Sequence, residues 1–112
     1  LVAGKTAPQV IDPRNAYVMT SILHDVATKG TGAATNALGR SDIAGKTGTA
    51  ENSQGRDHGW FVAYGPYANP TIVVAVIVEQ GGFGSLSAVP IGRRIMEAAF
   101  RLDRAPQDAG KK

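Results

Sequence analysis

No cysteine occurs among the 112 residues, which excludes disulfides and thiolate metal sites. The two histidines, His24 and His58, have no metal-ligand spacing to each other, so neither a metal centre nor any other cofactor is expected. Aromatic residues are few: one Trp, three Tyr and three Phe, none of them interleaved with a Lys/Arg run. The charge excess is small as well, +3 from 12 basic and 9 acidic residues. Part of it lies near the C-terminus, at Arg101, Arg104, Lys111 and Lys112. A nucleic-acid surface needs a basic stripe with aromatics set into it, so no nucleic-acid partner is expected. The longest strongly apolar run, Ile72 to Val78, is far shorter than the roughly 20 residues that span a bilayer. The N-terminus carries no signal-peptide pattern, so any membrane anchor is expected outside this chain.

What is present suits a single domain with a modest core. An apolar share of 43% and a charged share of 19% are ordinary for a globular chain. A domain of this length buries roughly two-thirds of the surface that its unfolded chain exposes. The 14 glycines imply tight turns or places of close backbone approach. Asp12-Pro13 reads as a helix start, because Asp can accept from free N–H groups and Pro is tolerated at the first helical position. Val18, Met19, Ile22 and Val26 follow at helical spacing and Gly30 is a stop, which predicts a helix over Pro13 to Lys29.

Gly30 to Arg40 has loop composition. Ser41 to Ala50, Trp60 to Tyr64 and Thr71 to Val78 read as three strands, and their short connections make neighbours antiparallel. The third is apolar on both faces and is expected to be covered above and below, by the first helix and by a second, C-terminal one. In that second helix Ile91, Ile95, Ala98, Ala99 and Leu102 form a stripe opposite Arg93, Arg94, Glu97 and Arg101. The third strand has only one evident neighbour here, so its other edge needs polypeptide that these residues do not supply. Residues 107–112 read as a flexible tail.

The segment with the most chemistry is Ala44-Gly45-Lys46-Thr47-Gly48-Thr49-Ala50. On an extended strand Lys46 points one way, and Thr47 and Thr49 point together the other way. Gly48 removes a side chain between the two threonines and lets a ligand lie against the backbone. Two hydroxyls and an ammonium beside main-chain N–H groups suit a carboxylate. A phosphate-binding loop is the competing reading of Gly45-Lys46-Thr47, but its earlier glycine would fall at Arg40, and Gly48, Ser53 and Gly55 discourage the helix that it requires. A Lys-Thr-Gly tripeptide alone is common, and most such lysines are simply solvated. Trp60 and His58 read first as a strand packing residue and a structural histidine, His24 as solvated, and Glu51 and Asp57 as loop carboxylates.

The context changes the weight of the tripeptide. Lys46-Thr47-Gly48-Thr49-Ala50, then Asp57-His58-Gly59-Trp60-Phe61-Val62-Ala63-Tyr64, then Pro70 to Glu79 with Gln80-Gly81-Gly82-Phe83-Gly84, closely resembles the C-terminal third of penicillin-binding protein transpeptidase domains. The resemblance runs over about Pro8 to Phe100. It implies an α+β fold of the beta-lactamase/transpeptidase type, with three antiparallel strands of a five-stranded sheet packed between helices. Residues 1–106 would form the C-terminal portion of that domain.

In that family the catalytic serine, its Ser-x-x-Lys lysine and the Ser-x-Asn element lie earlier in the chain, and neither motif occurs here. The partners implied are the N-terminal part of the same domain, a peptidoglycan stem peptide and beta-lactams, at the extracytoplasmic face of the bacterial membrane. Resemblance assigns Lys46 a catalytic role beside the nucleophile and the substrate carboxylate. It gives Thr47 and Thr49 the carboxylate, Gly48 the close approach, the Thr49 N–H one oxyanion donor, and Trp60 a place near substrate. A serine beta-lactamase or beta-lactam sensor shares these elements. A non-catalytic module that binds peptide along an open strand edge is the alternative of another class.

Overall fold

The structure is a computed structural model that describes residues 8–103; the expected tail at 107–112 lies outside them. The elements run α1 (Pro13–Thr28), a short 3-10 helix (Ala33–Leu38), β1 (Ala44–Ala50), β2 (His58–Gly65), β3 (Ile72–Val78) and α2 (Ala88–Asp103).

Helix α1 begins where the sequence says it should. The Asp12 carboxylate accepts from the Arg14 N–H at 2.8 Å, and Pro13 fills the first helical position, where no N–H is needed. The helix ends at two glycines. The Gly30 N–H donates to the Asp25 and Val26 carbonyls and the Gly32 N–H to that of Val26, which satisfies carbonyls left open at the helix terminus. Side chains at both positions would be crowded, since a Cβ on Gly30 or Gly32 would lie 3.1 Å from the backbone of Val26 or Ala27.

Past this turn the expected loop is partly ordered as the 3-10 helix, which sequence composition did not show. The reason is local side-chain bonding. Thr35 is buried, and its hydroxyl reaches the Ala27 and Gly32 carbonyls at 2.9 and 2.8 Å. The Asn36 amide donates to the Thr28 carbonyl at 2.7 Å. Such bonds substitute for helix hydrogen bonds over one or two turns only. Gly39, at φ 64°, then ends the segment.

The three strands form one antiparallel sheet in the order β1-β2-β3. Register pairs Lys46 with Val62, Thr47 with Phe61 and Gly48 with Trp60 across β1 and β2, and Phe61 with Val76 and Ala63 with Val74 across β2 and β3. Phe61, Ala63, Val74 and Val76 therefore share one face, and they are buried there with Val89, Met96 and Phe100 of α2. Gly92 brings α2 against the Phe61 ring: a Cβ there would lie 2.3 Å from Phe61 Cδ1. Burying Phe61 completely contributes about 2–3 kcal/mol.

Three expectations about packing need correction. The buried face of α2 is Val89, Gly92, Met96 and Phe100, whereas Ile91, Ile95 and Ala98 of the predicted stripe are exposed and Ala99 is half-buried; the Leu102 side chain lies outside the described residues. Both sets have helical spacing, so periodicity alone cannot choose between them, and the contact of Gly92 with Phe61 does. In α1 the apolar set Val18, Met19 and Ile22 is 54%, 54% and 51% exposed, and Ala27 is the buried residue of that helix. Finally, among the described residues β3 is covered chiefly on one side: Val73 and Ile77, on the side away from α2, are 71% and 48% exposed. Helix α1 lies along β1 instead of across β3. The outer edge of β3 has no strand partner among the described residues, as its sequence suggested.

Candidate functional site

Strand β1 is the edge of the sheet, so one side of its backbone faces away from β2 and is open to a ligand or to further polypeptide. Alternation along it divides the predicted site residues between two faces. Thr47 and Thr49 stand on the face of Phe61, opposite Phe61 and Gly59. Lys46 and Gly48 stand on the other, opposite Val62 and Trp60. The Lys46 side chain is exposed, and its Nζ donates to the Thr47 carbonyl at 3.0 Å. Thr49 is exposed and Thr47 half-buried.

Gly48 has little around it. A Cβ there would have Trp60 Cβ, at 3.4 Å, as its one neighbour within 4 Å. Crowding by the described residues is thus not what requires glycine here. Trp60 itself lies 40% exposed opposite Gly48, on the same face as Val62. It is a strand residue with part of its ring open, which suits either strand packing or a place at the surface of the site.

Two further segments bracket the strand on its threonine face. The first is the turn after α1, where the hydroxyls of Thr31 and Thr47 are 2.6 Å apart. The second is the loop between β3 and α2, which crosses the end of the sheet beside Thr49. There a Cβ on Gly84 would lie 2.3 Å from the Trp60 carbonyl oxygen and 2.5 Å from that of Gly48, and a Cβ on Gly59 would lie 2.2 Å from Ser87 Oγ. Glycine at 84 lets the loop touch the sheet backbone directly. The loop is pinned by two main-chain donors, the Gln80 N–H to His58 Nδ1 at 2.9 Å and the Gly82 N–H to the Asp57 carbonyl at 2.8 Å.

His58 is a structural histidine, as expected, because it accepts that loop hydrogen bond. His24 departs from its solvated reading. It is half-buried, its Nε2 lies 2.5 Å from the Ser41 carbonyl oxygen, and its ring meets Tyr67 edge-on at 5.1 Å. Asp57 has partners too, accepting from the Asn52 N–H at 3.3 Å through its carboxylate. Thr31 was invisible as a site residue in the sequence. The available signal was a hydroxyl residue between two glycines directly after a helix, but which strand it would meet is a tertiary fact.

Chemically, the arrangement presents an edge strand with two hydroxyls on one face, an ammonium on the other and a bare glycine between them. Among the described residues no cluster of His, Cys, Asp or Glu could hold a metal ion. No described helix is long and apolar enough to cross a membrane.

Residues 3–97 match the family described as "Penicillin binding protein transpeptidase domain". The chain is 44% identical over 109 residues to penicillin-binding protein 1A of Neisseria lactamica, covering 90% of this chain and 13% of that protein. It is 41% identical over 96 residues to the peptidoglycan D,D-transpeptidase MrdA of Haemophilus influenzae, covering 72% of this chain and 15% of that protein. Among solved structures it is similar to penicillin-binding protein A from M. tuberculosis in an imipenem acyl-enzyme complex. That likeness has a TM-score of 0.64 and 33% identity, over 84% of this chain and 21% of the other. The chain thus spans a small part of the length of the relatives it matches.

Proposed function

Because this chain belongs to the penicillin-binding protein transpeptidase domain family, we propose that it is the C-terminal portion of a peptidoglycan D,D-transpeptidase and supplies the substrate-carboxylate and oxyanion side of the active site. The observation that carries the reading is Lys46-Thr47-Gly48-Thr49 on an open edge strand, with Gly48 unobstructed by any internal packing need.

The nucleophile comes from polypeptide that precedes these residues in the family. A serine there attacks the carbonyl of the penultimate D-alanine of a stem peptide; the C–N bond breaks and D-alanine leaves with the proton. An amine of a second stem then attacks the acyl-serine ester, restoring the serine hydroxyl and forming the cross-link. A beta-lactam acylates the same serine by opening its ring.

In this scheme Lys46 places positive potential beside the nucleophile and the substrate carboxylate, and donates to the Ser-x-Asn serine. The hydroxyls of Thr47 and Thr49 hold the terminal carboxylate, since charge-assisted bonds are the stronger ones. The Thr49 N–H is one of two oxyanion donors, a group worth about 3 kcal/mol of transition-state stabilisation. Trp60, exposed beside Gly48, flanks the substrate. The reaction is placed at the extracytoplasmic face of the bacterial cytoplasmic membrane, with residues 1–106 as the C-terminal portion of the domain.

Labelled penicillin tests the reading. The chain alone is expected to take up no covalent label, and the chain joined to the preceding part of its domain is expected to be labelled and to release D-alanine from a stem-peptide analogue. An unlabelled combined sample would refute the enzyme assignment and favour a module that only binds peptide along the β1 edge.

A further inference from the structure

We propose that Thr31, in the turn that follows α1, is a positioning residue for the substrate-carboxylate site, acting through the hydroxyl of Thr47. The proposal rests on the reading of Thr47 as a carboxylate donor given above.

Its starting point is the 2.6 Å contact between the hydroxyl oxygens of Thr31 and Thr47, two residues 16 positions apart. A threonine hydroxyl has one proton and two lone pairs. If Thr47 gives its proton to a substrate carboxylate, the shared bond must run the other way, with Thr31 donating and Thr47 accepting. That order fixes the torsion of the Thr47 hydroxyl and turns its proton away from Thr31, leaving it available to a ligand. It also polarises the Thr47 O–H, which makes it a better donor to an anion. Without Thr31, the Thr47 hydroxyl is free to turn its proton elsewhere, and binding must reorder it.

For such a device to work, Thr31 itself must be held. The turn supplies this. The backbone N–H groups of Gly30 and Gly32 are tied to the last turn of α1, and both glycines pack against that turn with no room for a Cβ beyond 3.1 Å. Just downstream, the buried Thr35 hydroxyl holds the Ala27 and Gly32 carbonyls, and the Asn36 amide holds that of Thr28. Thr31 is exposed, so its hydroxyl bond to Thr47 lies at the surface, where a ligand can reach it. The construction is a rigid bracket with one outward hydroxyl aimed at the strand.

The test compares acylation by a penicillin with acylation by its methyl ester, in a complete domain that contains this chain. Thr31→Val keeps the shape and removes the donor; Thr31→Ser keeps the donor. Relative to wild type, Thr31→Val is expected to lower the second-order acylation rate for the free acid by roughly three- to tenfold, the range of one net hydrogen bond. The same variant should leave the rate for the ester within about twofold of its wild-type value, and Thr31→Ser should restore the rate with the acid. Equal slowing for acid and ester would show a merely structural role and overturn the proposal, as would an unchanged rate with the acid. Thermal unfolding of each variant identifies a folding defect, and if Thr31→Val fails to fold, Thr31→Ala carries the same comparison. A wild-type domain that is never acylated would instead overturn the enzyme reading beneath it.

Discussion

Gly48 and Gly84 lie at the same corner of the sheet, yet they are glycine for opposite reasons. Gly84 touches backbone on two strands, so Gly84→Ala must push the loop off Trp60 and Gly48, at a cost of about 1–3 kcal/mol in thermal or chemical unfolding. At Gly48 there is room for a methyl group, and a strand alanine is intrinsically better than glycine by about 0.5–1 kcal/mol. Gly48→Ala is therefore expected to keep or raise stability while, in a complete domain that contains this chain, slowing penicillin acylation, because on the proposed function the methyl takes up space where ligand would meet backbone. Loss of stability together with activity would contradict this view of the site. Lys46→Ala belongs to the same scale. On its proposed role, removing this charge-assisted donor, worth about 1.5–3 kcal/mol, is expected to slow acylation of a complete domain that contains this chain by about ten- to a hundredfold, measured by stopped-time labelling.

At the scale of elements, α1 and α2 are anchored by different physics. The start of α1 depends on Asp12, whose carboxylate is held below its ordinary pKa of 3.8, first by the Arg14 side chain and then by the Arg14 N–H. A lowered folded-state pKa means that the cap's contribution is present above the ordinary value and is lost as pH falls through the lowered one. Asp12→Asn keeps a capping oxygen at every pH, so the variant's unfolding midpoint should lose this part of the acid dependence that the wild-type domain shows. Helix α2 is held by core packing instead, through Val89, Met96, Phe100 and the close approach of Gly92 to Phe61. Phe61→Ala is expected to cost about 3–5 kcal/mol by denaturant unfolding. Gly92→Ala should also destabilise, since a clash with the ring at 2.3 Å outweighs about 1 kcal/mol of gained helix propensity.

For the molecule as a whole, the notable fact is how much apolar surface the described residues leave open. It falls in three places: Val18, Met19 and Ile22 on α1, Val62, Val73 and Ile77 on the uncovered sheet face, and Ile91 with Ile95 on α2. Patches this extended mark surfaces meant to be covered. The chain alone is accordingly expected to bind a hydrophobic dye strongly. On the proposed function, joining it to the polypeptide that precedes these residues in the family should suppress that signal and raise the unfolding midpoint. Unchanged dye binding in the joined protein would show that this polypeptide does not cover these surfaces.

Much of this was legible in the residues themselves. Asp12-Pro13 and Gly30 mark the ends of α1, the short connections dictate antiparallel pairing, and alternation along Lys46-Thr47-Gly48-Thr49 already sorts ammonium from hydroxyls. These are consequences of backbone geometry and local hydrogen bonding, which depend on neighbours in sequence. The rest required the folded chain. Which of two apolar stripes α2 buries was decided by Gly92 meeting a ring 31 positions away, and the coverage of β3 by where α1 happens to lie. Thr31 came to Thr47 only because a glycine turn carries it across from the helix. Contacts between distant segments depend on how elements dock, and docking is set by shape and burial that no local pattern encodes.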